Sequence, residues 1–234
     1  MLITGATKGI GRAIAQTAAA QGWHVVGVAR ADDPSFPGTL RHVDLMDANA
    51  RKAVFQEIVR EFRVTRLVNN AGINRIKAFE DVFKEDYDTI MTLNVTVPFE
   101  LTQMAVPDMR AAGFGRIVNI ASRSLLGRPG SSVYATAKAG IVGLTRTLSL
   151  ECAPHGITVN AVSPGPIATE MFFSNNPPDS PTTKAIIDGI PMKRIGGVQD
   201  VAAAALFFLS DAAAFTTGQN LFVCGGSSVG RALP

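Results

Sequence analysis

Only two cysteines and three histidines occur among the 234 residues. Cys152 and Cys224 form no Cys-x-x-Cys pair, so they supply no disulfide framework and read as core residues. His24, His42 and His155 are too dispersed for a local metal motif, and no metal is expected. No apolar run reaches the ~20 residues that a bilayer-crossing helix needs, and no signal peptide is visible. The expected location is therefore cytoplasmic. The net charge of +3 and pI near 9.1 come from scattered basic residues without a long Lys/Arg run, so neither nucleic acid nor membrane is an expected partner. No Gly-x-Ser-x-Gly elbow exists, which counts against a hydrolase.

What is present is an apolar content of 47% on a length that suits one domain with a sizeable core. Short apolar runs at 1–4, 23–29, 40–43, 66–70, 115–121, 157–162 and 220–224 alternate with helical periodicity. That alternation predicts an α/β chain: a Rossmann-like, doubly wound parallel sheet of seven strands with helices on both faces, as a single domain over 1–234. The first run is short. Either the chain lacks residues there or that central strand pairs less than usual.

Two motifs carry chemistry. The first is Thr4-Gly5-Ala6-Thr7-Lys8-Gly9-Ile10-Gly11 between the first apolar run and a helical stretch containing Ala13, Ile14, Thr17 and Ala18. Glycines allow a tight turn and close approach to a pyrophosphate, whose charge suits a helix N-terminus. The spacing Gly-x-x-x-Gly-x-Gly differs from the commoner Gly-x-Gly-x-x-Gly. The second is Ser122, followed twelve positions on by Tyr134, with Lys138 four positions later. On a helix Tyr134 and Lys138 share a face. An ammonium beside a phenol lowers its pKa of about 10 and suits it to proton exchange near neutrality.

Taken together, these motifs resemble the short-chain dehydrogenase/reductase family, in particular members similar to 3-oxoacyl-carrier-protein reductases. Five further segments match in order: Asp44-Leu45, Asn69-Asn70-Ala71-Gly72, Leu93-Asn94-Val95, the strand Arg116 to Ala121 before Ser122, and Pro164-Gly165-Pro166-Ile167-Ala168-Thr169. The resemblance implies an oxidoreductase that moves a hydride between a nicotinamide cofactor and a carbonyl or alcohol. It implies cofactor contacts from Gly5, Thr7, Lys8, Gly9, Ile10, Gly11, Arg30, Asp44, Leu45, Asn70, Ala71, Gly72, Tyr134, Lys138, Pro164, Gly165, Ile167 and Thr169. It implies Ser122 orienting the substrate oxygen, Tyr134 as general acid/base, Lys138 tuning it and Asn94 supporting a proton relay. Ser124 is the rival of Ser122, because the spacing to Tyr134 is one residue shorter than in many relatives. A cofactor-binding regulator without catalysis would have lost the tyrosine or the lysine, and both are kept.

Cofactor choice turns on the end of the second strand. An NAD-specific member places a carboxylate there, whereas this chain has Ala29 followed by Arg30. Arg30 and Lys8 suit a 2′-phosphate, so NADP is favoured over NAD. The rival signal is Asp32 or Asp33, if the Pro-containing loop 31–39 folds inward. That loop stands where many relatives have a helix. A second irregular stretch, Met171 to Pro191, predicts a substrate lid at about 170–195, with a short helix around 183–188. Phe172 and Phe173 are available there to exclude water. Candidate substrates are 3-oxoacyl thioesters or small ketones, with a sugar acid or polyol as the alternative. Arg75, Lys77, Arg123 and Arg128 are cations that an anionic substrate could meet. The helix after Tyr134, the stretch 201–209 and the last strand carry more apolar positions than one buried stripe requires, so a homotetramer is expected, with a dimer as the alternative.

Overall fold

The computed structural model describes residues 1–230, so the last four positions of the expected domain lie outside the described residues. Seven strands form one parallel sheet: β1 (Leu2–Thr4), β2 (Val26–Ala29), β3 (Thr39–His42), β4 (Arg66–Asn69), β5 (Gly115–Ile120), β6 (Ile157–Pro164) and β7 (Asn220–Val223). Their spatial order is β3-β2-β1-β4-β5-β6-β7. The chain reverses direction across the sheet between β1 and β4, the switch point where open α/β sheets bind ligands beyond the strand ends. Short as it is, β1 pairs on both sides, Leu2 with Val26 and with Leu67. The longest pairing joins β5 to β6, from Gly115–Ile157 to Ile120–Val162.

Helices α1 (Gly9–Ala20), α2 (Ala48–Glu61), α3 (Lys84–Met91), α4 (Val97–Ala112), α5 (Ser132–Cys152), α6 (Glu170–Phe173), α7 (Pro181–Gly189) and α8 (Val198–Leu209) complete the framework. Strand alternation sends Leu2 and Ile3 to opposite faces. Ile3 joins Ile14, Val68, Val118, Leu206 and Phe208 in a core beneath α1 and α8. Leu2 joins Phe55, Ile58, Leu67, Leu101 and Met109 beneath α2 and α4. With both faces covered, the strands read as continuous apolar runs. Cys152 and Cys224 are both buried and unpaired, as their sequence context predicts. Among the described residues no helix is long and apolar enough to cross a membrane.

The connection from β2 to β3 contains no helix. Phe36 takes that space, packing where a Cβ on Gly27 would stand only 2.4 Å from its ring. Arg12 of α1 reaches across to bond Asp33 and the Ser35 carbonyl (2.7 Å) and lies 5.8 Å from the Phe36 ring centre. One aromatic plug and one ion pair thus do the packing of a missing helix.

Segment 170–195 is more regular than its sequence suggests. Thr169 caps α6 by accepting the Phe172 amide at 3.2 Å, so Phe172 and Phe173 sit in a helical turn rather than in irregular chain. Ser180 caps α7, whose first residue is Pro181, the favoured position for proline. Between them, Asn176 folds back on α6 by donating to the Phe172 carbonyl at 2.8 Å. The two phenylalanine rings meet edge to face at 5.4 Å and are partly buried.

Candidate active site

The β1–α1 turn forms one wall at the switch point. Gly5 and Gly9 have φ of 64° and 51°, values that favour glycine. A Cβ on Gly11 would fall 2.2 Å from the Gly5 carbonyl and 2.5 Å from Asn70 Nδ2, so α1 can approach β4 only with hydrogen there. Lys8 stands at the N-cap without a side-chain cap bond, and the first turn holds no acidic residue. The first amides of α1 and the positive end of its dipole are thus free to receive an anion. Asn70 braces this turn through Nδ2 to the carbonyls of Thr4 (3.0 Å) and Gly5 (3.1 Å). Thr4 was not singled out from the sequence, yet its buried Oγ1 accepts the amides of Asn70 (3.1 Å) and Ala71 (3.0 Å). A threonine closing an apolar strand directly before the glycine turn was the signal available. Ile10 and Leu45 turn toward the apolar cores, and Leu45 also gives its carbonyl to Arg51 (2.5 Å), which leaves Asp44 as the exposed member of its pair.

The opposite wall is the segment Pro164 to Thr169 at the end of β6. Gly165 donates to Val223 (2.9 Å), and Ile167 is buried, bridging to Gly196. Thr169 meets the glycine turn, its Cγ2 lying 3.4 Å from where a Cβ on Gly9 would be.

Between the walls sit the expected catalytic groups. Ser122 follows β5 in extended conformation, and its Oγ accepts the Ser124 amide at 3.1 Å. The Ser122 hydroxyl lies on the side of the Tyr134 phenol and favours its ionised form, whereas Ser124 is buried in the short helical turn that follows. Tyr134 and Lys138 lie one turn apart on α5. Lys138 is buried, donates to the Ile120 carbonyl at 2.8 Å and stands 5.5 Å from the Tyr134 ring centre. Asn94 occupies a π-helical turn over Thr92–Thr96, a distortion frequent at functional sites. Its Nδ2 donates to Ile73 (2.9 Å) and Ile90 (2.8 Å), while Oδ1 is buried without a partner. A Cβ on Gly72 would lie 2.6 Å from that Oδ1 and 3.4 Å from Lys138 Nζ, so the two polar groups flank one glycine.

The electrostatics depart from the sequence argument. Burial pushes the Tyr134 phenol up, and the Ser122 hydrogen bond and the Arg128 charge only partly oppose it. The net lowering expected of Tyr134 is therefore absent in this arrangement, in which Lys138 donates to the Ile120 carbonyl and burial outweighs the opposing groups. Burial also brings Lys138 itself down from 10.5 to about 8.

The two cations assigned to a 2′-phosphate are not alike. Arg30 is exposed at the end of β2. Lys8 instead bonds Glu170 of α6 at 2.9 Å. Of the rival carboxylates, Asp33 folds inward but onto Arg12, and Asp32 lies 3.4 Å from His42.

A family model described as enoyl-(acyl carrier protein) reductase matches residues 5–228. The 3-oxoacyl-[acyl-carrier-protein] reductase FabG of Escherichia coli is 37% identical over 239 residues, spanning 96% of this chain and 95% of its own. The chain belongs to the short-chain dehydrogenase/reductase family. Two solved members agree in fold. A protein described as an NAD(P)-dependent gluconate 5-dehydrogenase from Beutenbergia cavernae, holding NADP, superposes with a TM-score of 0.92 at 35% identity, covering 97% and 96% of the two chains. ElxO with NADP bound gives 0.89 at 30%, covering 97% of each. The chain is accordingly an oxidoreductase acting on CH–OH or carbonyl groups, with NADP(H) or NAD as cofactor. The glycine turn, the uncapped start of α1 and the pocket around Gly72 fit that cofactor: donors without acidic residues at one end, a buried cation and an orphaned acceptor at the other.

Proposed function

We propose that this oxidoreductase interconverts a ketone and a secondary alcohol with NADP(H), using Tyr134 as the proton donor and acceptor. The observation that carries the reading is a buried Lys138 that stands 5.5 Å from the Tyr134 ring centre and bonds the Ile120 carbonyl, two residues before Ser122, on the cofactor side of the sheet. The chemistry the dinucleotide supplies when bound is hydride transfer to or from the carbon that bears the oxygen. In reduction, negative charge grows on that oxygen, and Ser122 donates a hydrogen bond to it while Tyr134 delivers the proton. The hydride and that proton together make the alcohol. Lys138 then faces a phenolate across about one helical turn, and its charge lowers the cost of leaving the proton off. The unpartnered Oδ1 of Asn94 would accept from a water through which Lys138 and Tyr134 regain the proton. Gly5, Thr7, Gly9, Gly11, Asn70, Ala71 and Gly72 would line the dinucleotide, with Asp44 at its adenine end and Pro164 to Thr169 at its nicotinamide end.

Segment 170–195 serves as the lid, with Phe172 and Phe173 shielding the reacting carbon from water. A 3-oxoacyl thioester or a small ketone is the first substrate reading, supported by the carrier-protein reductase relatives. A sugar acid is the second, favoured by the gluconate 5-dehydrogenase neighbour. A homotetramer belongs to the same proposal, resting on Phe99, Leu150, Phe207 and Leu221, exposed on α4, α5, α8 and β7. The cytoplasmic location expected from the sequence goes with it. The decisive test is Tyr134→Phe, which keeps the ring and removes the proton. Turnover of any established ketone should fall by about 10²–10⁴-fold with cofactor affinity unchanged; near-normal turnover would mean that another group moves the proton.

A further inference from the structure

The loop joining β2 to β3 holds a carboxylate that the proposed site leaves unused. An enzyme selective for NAD sets a carboxylate against the ribose 2′-hydroxyl. This chain has none at the end of β2, where Ala29 is followed by Arg30. The acidic residues of the loop are Asp32 and Asp33. Asp32 is largely exposed and lies 3.4 Å from His42, at the end of the edge strand β3. Asp33 is turned the other way, onto α1.

Direct contacts place Asp33 beside the glycine turn. The Gly5 amide donates to the Val28 carbonyl at 2.8 Å, so the end of β2 stands against that turn. Arg12 lies one helical turn beyond Lys8, whose carbonyl accepts the Arg12 amide at 3.1 Å. Residues so spaced share a helix face. Arg12 Nη1 bonds the Asp33 carboxylate, and Nη2 donates to the Ser35 carbonyl at 2.7 Å and hydroxyl at 2.9 Å. The other Asp33 oxygen accepts the Ser35 amide at 3.0 Å and hydroxyl at 2.6 Å. Both carboxylate oxygens are thus engaged, and the Arg12 and Asp33 side chains are only 16% and 17% exposed. Phe36, packed beneath Gly27, anchors the loop just beyond.

We propose that Arg12 is a positioning residue for cofactor specificity: by holding Asp33 it keeps a carboxylate of this loop away from the ribose. The corner beside Lys8 and Arg30 is thereby left without negative charge, as a 2′-phosphate requires. The assignment rests on the NADP(H) reading above and acts through Asp33, not through a contact of Arg12 with the cofactor. The fork of an arginine suits this task, since one arm takes the carboxylate while the other fixes Ser35, the residue that engages the second oxygen. Released from that grip, Asp33 would offer a charged acceptor to a 2′-hydroxyl and repel a 2′-phosphate.

The test measures binding of NADPH and NADH by nicotinamide fluorescence in the native protein, in Arg12→Met and in Arg12→Met/Asp33→Asn. Releasing Asp33 should tighten NADH roughly tenfold, the worth of a hydrogen bond to a charged acceptor, and weaken NADPH by at least as much. Removing the released charge in the double variant should return NADH affinity to the native level. Both variants lack the same ion pair, so a loop that merely loosens would affect them alike and tighten neither. Arg12→Lys, which keeps a cation for Asp33, should bind NADH as the native protein does. An Arg12→Met variant that does not gain NADH affinity, or a double variant that gains as much, would overturn the assignment. Tighter binding of NADH than of NADPH by the native protein would instead refute the NADP(H) reading. The role of Arg12 is decided separately, by the difference between the two variants.

Discussion

Lys138→Met should make this enzyme more stable and less active, and the stability gain should vanish as pH rises. Lys138 is 4% exposed, and its folded pKa of about 8 lies well below the ordinary 10.5. Below pH 8 both the folded and unfolded chains carry the charge, so the full cost of burying it is present. Between 8 and 10.5 the folded chain gives up the proton first. The unfolded chain then binds more protons, and stability rises with pH. Above 10.5 both forms are neutral and the cost is gone. The displacement from 10.5 to about 8 corresponds to a cost of about 3 kcal/mol. Against this stands the hydrogen bond to Ile120, worth about 1 kcal/mol and lost in the variant. At pH 7 the methionine variant should therefore be about 2 kcal/mol more stable in urea unfolding. The gap should close between pH 8 and 10.5 and end slightly in favour of the native protein. The native-minus-variant difference cancels every other titrating group. A variant less stable than the native protein at pH 7, or a gap that stays flat from pH 7 to 10, would show that the ammonium is not held at the expense of the fold. Turnover should fall in the variant at every pH, the exchange of stability for activity that active sites commonly display.

Two further outcomes are expected. Arg30→Ala should shrink the preference for NADPH over NADH in kcat/KM, whereas Glu170→Gln, which frees Lys8 from its 2.9 Å ion pair, should enlarge it at low salt; an enzyme that prefers NADH, and loses that preference when Asp32 or Asp33 is changed, would reverse the assignment. Light scattering at micromolar concentration should give the mass of four chains, and an active monomer would mean that the exposed apolar residues on α5, α8 and β7 cover something else.

The order of elements was written in local pattern. Apolar runs buried on both faces have to be parallel strands, and glycines at 5, 9 and 11 have to be a turn that brings a helix start against the sheet. The one-turn spacing of Tyr134 and Lys138 needed only helical geometry. Boundaries were less legible: β2 starts at Val26 rather than at 23, and β6 continues through Pro164, because strand ends depend on which neighbour offers a hydrogen-bonding partner. Side-chain destinations were not legible at all. Nothing local says that Phe36 will plug the space beneath Gly27, that Asp33 will be taken by Arg12, or that Asp86 will claim both Arg75 and Lys77, since each pair is brought together by the path of an irregular connection and not by a fixed helical or strand spacing. The same holds for the charge state of the site. Adjacency on a helix argued for a lowered Tyr134 pKa, but burial is a property of the assembled fold, and it raised the phenol and lowered the lysine. Sequence determined which groups could meet; only the tertiary structure decided how dry their meeting place would be, because desolvation is set by everything packed around a group and not by its neighbours along the chain.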